Sequence, residues 1–296
     1  MEIFRFGFEA MKSGCEVVFT AKSKKDAQDV AALAVAEVSR IERIYSRYRP
    51  ESIVSLINGA AGKDPVECDS ETISLLDYAD KLFETSSGLF DITSGVLRHV
   101  WDFSKGVLPE PEQLTRSLDL IGWKRVERQG NMVRLPVAGM EIDLGGIGKE
   151  YAADRAAAII NGQGIRHGYV NLAGDIRVIG PKQDGTPWII GIQDPRHRDR
   201  TIASIPLYSG ALATSGDYER FFESAGKRYC HIIHPRSGYP VTYWRSVTVV
   251  APLTVTAGSF STITMLKEDD GLAFLNESGM GYLAVDKFGR IYHNNK

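Results

Sequence analysis

Four glycine-bearing segments hold most of the residues of this chain whose types and spacing suit chemistry. The first, Gly88-Leu89-Phe90-Asp91-Ile92-Thr93-Ser94-Gly95, sets one carboxylate between apolar residues, beside a hydroxyl. A buried carboxylate must find partners, and by itself this segment reads as a turn in which Asp91 accepts backbone amides. The second, Ile142-Asp143-Leu144-Gly145-Gly146-Ile147-Gly148-Lys149-Glu150-Tyr151-Ala152-Ala153-Asp154, reads as a strand ending in glycines with a helix opening directly after. Glycines let amides approach an anion, a helix N-terminus favours negative charge, and Lys149 adds a positive one. The spacings match neither the P-loop nor the dinucleotide fingerprint, so a tight strand-to-helix turn is the competing reading. The third, Tyr169-Val170-Asn171-Leu172-Ala173-Gly174-Asp175-Ile176, reads as one strand with Asn171 and Asp175 on one face, if Gly174 does not bulge it. The fourth joins Ala213-Thr214-Ser215-Gly216-Asp217-Tyr218 to Arg228-Tyr229-Cys230-His231-Ile232-Ile233-His234-Pro235-Arg236. His231 and His234, three apart on an expected strand, would face opposite ways and so would not chelate one metal. Nothing here has zinc-site spacing.

These segments need elements to hold them. Ile3 to Ala21 reads as two strands around a Lys12-Ser13-Gly14 turn. Val30, Ala34, Val38, Ile41, Tyr45 and Tyr48 recur at helical spacing before Pro50. A second helix starts at an Asp69 or Ser70 cap and ends before Ser87-Gly88. Short strands are expected at Val126–Arg128, Met132–Leu135 and Met140–Leu144, then a helix over Lys149–Gln163. Further strands are expected at Tyr169–Ile179, Trp188–Gln193, Thr201–Pro206, Ala211–Thr214, His231–His234 and Val247–Ala251. Helices follow over Ala257–Leu266 and Asp270–Asn276, and a hairpin of Gly281–Val285 with Ile291–His293 closes the chain. Strands grouped between helices argue an α+β fold rather than a doubly wound sheet. Pro109 and Pro111 mark a polar, exposed loop. With no low-complexity linker and no clear repeat, a single domain over residues 1–296 is expected.

The chain has 296 residues, 43% hydrophobic and 24% charged, with a net charge of −2. That suits a soluble globular protein and gives no electrostatic footprint for nucleic acid or anionic membrane. Three widely spaced cysteines, Cys15, Cys68 and Cys230, make neither a disulfide framework nor a thiolate metal site. No run approaches the roughly 20 apolar residues of a membrane span. No export signal is seen at the start, so a cytoplasmic location is expected.

Taken together, the motifs resemble the ApbE family of FAD:protein FMN transferases over nearly the whole chain. The resemblance rests on Phe90-Asp91-Ile92-Thr93, Asp143 through Lys149 with Tyr151-Ala152-Ala153-Asp154, Asn171 through Asp175, Thr214 through Tyr218, His231 through Pro240, Ser246 through Val249, and Ser261-Thr262, in order and spacing. It implies mixed sheets with packed helices and a flavin site in a cleft between two lobes. It implies that Met11, Tyr48, Leu89, Phe90, Asp91, Asp143, Lys149 and Ile233 line an FAD site. It further implies Mg²⁺ held by the Gly146 carbonyl and the Thr262 side chain, with His231 as base. The implied reaction moves FMN from FAD to a threonine of an acceptor flavoprotein, in a motif rich in Gly, Ala, Ser and Thr, and releases AMP.

Three positions depart from the family pattern. Gly258 stands where an aspartate would ligate magnesium, four residues before Thr262. His234 stands where aspartate is usual, and Ala173 where glycine is usual. A glycine cannot replace a carboxylate on a hard dication. The departures support three readings: a transferase with a weakened or rebuilt metal site, an FAD-binding paralogue without catalysis, and an engineered or natural variant with Gly258 in place of the ligand; an FAD pyrophosphatase giving FMN and AMP is a separate enzyme reading.

Overall fold

A computed structural model describes residues 1–294. The chain opens with β1 (Glu2–Ala10) and β2 (Ser13–Ala21), then α1 (Lys24–Tyr45), α2 (Ile53–Gly59), β3 (Val66–Glu67) and α3 (Ser70–Thr85). A 3₁₀ helix over Ile92–His99 precedes α4 (Pro111–Asp119), β4 (Glu127–Gln129), β5 (Met132–Arg134) and α5 (Gly148–Gly162). Strands β6 (Gly168–Leu172), β7 (Asp175–Gly180), β8 (Trp188–Gln193), β9 (Thr201–Leu207), β10 (Gly210–Gly216), β11 (Phe221–Ser224), β12 (Lys227–Cys230) and β13 (Trp244–Ala251) follow. The chain closes with α6 (Thr254–Leu266), α7 (Gly271–Ser278), β14 (Gly281–Asp286) and β15 (Ile291–Asn294).

The fold is α+β, built on an eight-stranded sheet of order β1-β2-β6-β7-β10-β13-β14-β15. Every pairing in it is antiparallel. One face carries α1, α5 and α6. Helix α1 is capped by Ser23, whose side chain accepts from Asp26 N at 3.2 Å, and it buries Ala27, Ala31, Ala34, Val38, Ile41 and Tyr45. That stripe runs at the i, i+3, i+4 spacing of a core-facing helix. Helix α5 answers with Ile160 and with Ala152, Ala153, Ala156 and Ala157, the alanines being small enough to let helices approach closely. On the sheet's other face, Val18, Tyr169, Ile176 and Val178 pack with Trp188, Ile190 and Leu207 of the β8–β9 hairpin.

The α5–α6 register is set by a side chain. No side chain of α6's own flank caps it, but both carboxylate oxygens of Asp154 on α5 accept its first amides, Thr254 N and Val255 N, at 2.9 Å each. Such a cap contributes about 1 kcal/mol. It also fixes which residues of the two helices face each other one turn away.

Several sequence expectations are corrected. Met140–Leu144 is no strand: Asn58 holds it by accepting Ile142 N at 2.7 Å and donating to Ile142 O at 3.0 Å, so side-chain bonds replace a ladder. The run Tyr169–Ile179 is two strands, because Ala173 and Gly174 take φ +53° and +95° and turn the chain back. Leu172 then pairs with Asp175 and Asn171 with Ile176, which places Asn171 and Asp175 on opposite faces. His231–His234 is not a regular strand; β12 ends at Cys230, and only Ile233 bridges onward, to Pro240. The first hairpin turns at Met11-Lys12, since Ala10 pairs directly with Ser13. Tyr48 lies beyond α1, which ends at Tyr45 ahead of Pro50. Pro111 opens α4 instead of lying in a loop, as proline's fixed φ and missing N–H allow at a first turn. No helix among the described residues is long and apolar enough to cross a membrane.

Candidate functional site

The β1–β2 turn, the end of α1 and the loop before α5 meet at one corner. Met11 and Lys12 hold φ of +53° and +61°, a conformation that costs a non-glycine residue roughly 1–3 kcal/mol and clusters at functional sites. The turn puts Lys12 Nζ 4.1 Å above the Tyr48 ring. Arg47 donates to Tyr48 Oη at 2.9 Å and forms an ion pair with Asp143. Asp143 Oδ1 in turn accepts Gly145 N at 2.9 Å, which shapes the glycine turn. Tyr48 is left 59% exposed, with two cations, Lys12 and Arg47, over its ring. Burial raises its phenol, but the Arg47 hydrogen bond and the charges of Arg47, Lys12 and Arg220 outweigh that and hold it below its ordinary value.

Leu89, Phe90 and Asp91 are buried. Asp91 caps the 3₁₀ helix: its Oδ1 accepts Thr93 N at 2.8 Å and Thr93 Oγ1 at 2.5 Å, and its Oδ2 accepts Trp123 N at 3.1 Å. These three bonds are internal to the protein. The Phe90 ring edge lies 3.1 Å from where a Cβ on Gly146 would stand, so only glycine fits there without a shift. Gly95 has the same relation to Asp143, at 2.6 Å.

Helix α5 brings Lys149 and Glu150 to the centre. Lys149 Nζ pairs with Asp175 Oδ2 at 2.5 Å, just after the β6–β7 turn. Burial would lower the Lys149 ammonium, yet Asp175 and Glu150 outweigh it and keep it raised and charged. Glu150 is buried, and its Oε2 has no hydrogen-bond partner among the described residues. Burial, then the Asp175 charge, push its carboxyl well above the usual carboxylate range. Across from α5, Thr262 Oγ1 of α6 lies 3.0 Å from Ser215 Oγ of β10, which also meets Ser261 Oγ at 2.8 Å. Among the described residues no three His, Cys, Asp or Glu side chains converge as a metal-binding group. The oxygen donors here are hydroxyls and carboxylates, a set suited to a hard dication.

His231 follows β12, its amide bound to Arg220 O at 2.9 Å. Solvent reaches the ring, but protein crowds it on the remaining sides. That crowding, then the Arg220 charge, hold the imidazole well below its ordinary value, so it is neutral at pH 7. Ile233 packs into a separate cluster of Leu97, Trp101, Leu114 and Tyr229. His234 explains its own departure from the family pattern: its Nδ1 accepts Arg236 N at 3.3 Å and Ser237 N at 3.4 Å, the work an aspartate does at the head of a turn. Ala173 likewise occupies a positive-φ turn position where glycine is free of strain.

Met11, Tyr48 and Asp143 therefore form one corner through Lys12 and Arg47, while Lys149 is engaged with Asp175. Asp91 is engaged internally. The sequence reading passed over Lys12, Arg47, Glu150, Ser215 and Arg220. Arg47 and Glu150 adjoin singled-out residues, but nothing in the spacing signals what they touch. Two surface depressions of about 770 and 540 Å³ lie elsewhere, around Cys68 and around Tyr78, and neither is lined by a candidate residue.

The chain is similar to known proteins along most of its length. An FAD:protein FMN transferase of Vibrio cholerae is 31% identical over 250 residues, covering 82% of this chain and 75% of the relative. One of Treponema pallidum is 31% identical over 263 residues, covering 81% and 72%. Among solved structures, the ApbE protein of Thermotoga maritima superposes with a TM-score of 0.92 at 33% identity, over 99% of this chain and 97% of that one. The flavin transferase ApbE of Vibrio cholerae gives 0.89 at 26% identity, over 99% and 97%. The ApbE family matches residues 11–284, and the chain belongs to that family.

Proposed function

We propose that this chain is an FAD:protein FMN transferase, moving FMN from FAD to a threonine hydroxyl of an acceptor flavoprotein. The observation that carries the reading is its match, along more than four fifths of its length, to curated enzymes of that name. In this reading Met11, Tyr48, Leu89, Phe90, Asp143 and Ile233 line the FAD cleft, and Asp91 shapes it. Lys12, Arg47 and Arg220 give the corner the positive potential a pyrophosphate requires. Mg²⁺, held at the Gly146 carbonyl and the Thr262 hydroxyl, would neutralise charge on the pyrophosphate oxygens when bound.

The acceptor threonine oxygen attacks the FMN-side phosphorus. Its proton passes to the His231 imidazole, which is free to accept it because the ring is neutral. The bond from that phosphorus to the bridging oxygen breaks, FMN becomes a phosphoester of the threonine, and AMP leaves. Positioning and charge stabilisation do most of the work in such a transfer. The acceptor motif is a short run rich in Gly, Ala, Ser and Thr, and the proposed location is the cytoplasm.

Gly258 favours a second reading, an FAD binder without transfer. Incubation with FAD, Mg²⁺ and an acceptor domain, followed by in-gel flavin fluorescence, separates the two. A fluorescent acceptor band supports the transferase. A dark band with FAD retained on the protein refutes it, and release of FMN and AMP without acceptor points to the pyrophosphatase.

A further inference from the structure

Gly258 lacks a side chain, but the space one would enter is filled. A Cβ built on Gly258 would lie 2.6 Å from Glu150 Cγ, 2.9 Å from Glu150 Oε1 and 3.0 Å from Glu150 Cδ. This follows from the α5–α6 register. Asp154 caps α6 at Thr254 and Val255. The two helices run in opposite directions, so one turn back on α5 is Glu150 and one turn on along α6 is Gly258. One further turn along α6, on the same face, is Thr262. Glu150 thus reaches from the neighbouring helix into the place of an α6 residue.

The carboxylate found there is incompletely satisfied. Glu150 is 7% exposed, and its Oε2 has no hydrogen-bond partner among the described residues. Asp175, 3% exposed, lies close enough to act on it. One ammonium, Lys149, serves both carboxylates and bonds to Asp175. Two buried acids share one base, so ionising both leaves a deficit of one counter-charge, and that is costly. A further cation beside Glu150 removes that deficit.

We infer that Glu150 supplies the anionic oxygen that Gly258 lacks, so that the divalent cation is held by a carboxylate from α5 in place of one from α6, together with Thr262. This rests on the transferase reading, which requires the cation. It goes beyond it by assigning a ligand to this chain's own Glu150, and it makes an aspartate at 258 and a glutamate at 150 mutually exclusive for want of space.

The test uses Mn²⁺ as a spectroscopic stand-in, titrated by electron paramagnetic resonance into FAD-loaded protein. FAD affinity is followed separately by flavin fluorescence, and near-UV circular dichroism reports the fold. Glu150→Gln, which keeps the shape and loses the charge, weakens Mn²⁺ by at least about tenfold while FAD binding without metal stays within about threefold. Gly258→Asp alone lowers the melting temperature, because the new side chain meets Glu150. The exchange Glu150→Gly with Gly258→Asp returns the carboxylate to α6 and restores Mn²⁺ affinity to within about tenfold of the wild type. Wild-type Mn²⁺ affinity in a folded Glu150→Gln protein overturns the inference and leaves the transferase reading standing. If Glu150→Gln does not fold, the double exchange decides: failure to bind Mn²⁺ overturns it. A wild-type protein that binds FAD but no divalent cation overturns the magnesium part of the functional reading as well.

Discussion

Replacing Asp91 by asparagine distinguishes a carboxylate that touches ligand from one whose bonds are internal to the fold. In the structure both oxygens of Asp91 accept from the protein: Oδ1 from the amide and hydroxyl of Thr93, Oδ2 from Trp123 N at 3.1 Å. An asparagine retains one acceptor. If its oxygen keeps the two Thr93 bonds, its NH₂ faces the Trp123 N–H, donor against donor, in a buried site. Losing one hydrogen bond to a charged acceptor and leaving a buried amide unpaired costs about 2–4 kcal/mol. Thr93 Oγ1 also accepts Gly122 N at 2.8 Å, so the perturbation travels to the segment that seats Trp123. For a chain of this size each kcal/mol moves the melting temperature by about 2 °C, giving a fall of roughly 4–8 °C. Differential scanning calorimetry measures it, alongside an FAD titration at a temperature where both proteins are folded. The expected FAD dissociation constant lies within about threefold of wild type, since the carboxylate is turned inward. An unchanged melting temperature with a tenfold or greater loss of FAD affinity refutes this reasoning and makes Asp91 a ligand contact.

Three other outcomes are expected. Gly95→Ala sets a methyl 2.6 Å from Asp143 Cβ; Asp143 must move, its Arg47 pair opens, and FAD affinity falls about tenfold at a stability cost of about 1–3 kcal/mol, read by titration and thermal melts. Because His231 has its folded pKa depressed below the ordinary 6.5, the ring remains neutral as pH falls through 6.5. The acid limb of the transfer rate therefore lies below pH 6, and His231→Ala removes it along with about 10²-fold or more of the rate. The unfolded chain takes up that proton first, so the same group lowers stability as pH falls below 6.5. Glu71 runs the other way: hydrogen bonds from Arg40 hold its carboxyl down to about 2 from 4.5, so its stabilisation is present above pH 4.5 and is lost as pH falls towards 2. Glu71→Gln removes that slope from an acid-unfolding curve.

Periodicity in the sequence was enough to place the long elements. The stripe from Ala34 through Tyr45, the Asp69 cap, the helix after Gly148 and the closing hairpin need only neighbours three, four or two residues away to be legible. The ordered motifs identified the family, and the Gly258 departure was visible at once. Elements held by distant partners were not legible. Met140–Leu144 looked like a strand, but its hydrogen bonds go to Asn58, some eighty residues back. The Tyr169–Ile179 run looked continuous because Ala173, a residue that rarely takes positive φ, makes the turn.

The site divides in the same way. The glycine loop by itself pointed to Lys149, whereas His231, Asp143 and Thr262 were named through the family resemblance. Neither could show that Lys149 is bound to Asp175, that Asp91 faces inward, or that Arg47 and Lys12 bracket Tyr48. Above all, sequence showed a missing carboxylate at 258, and only the packing of α5 against α6 showed Glu150 standing in that space. The physical reason is that a residue's type is written locally, whereas the space beside a glycine belongs to whichever side chain the tertiary fold brings there.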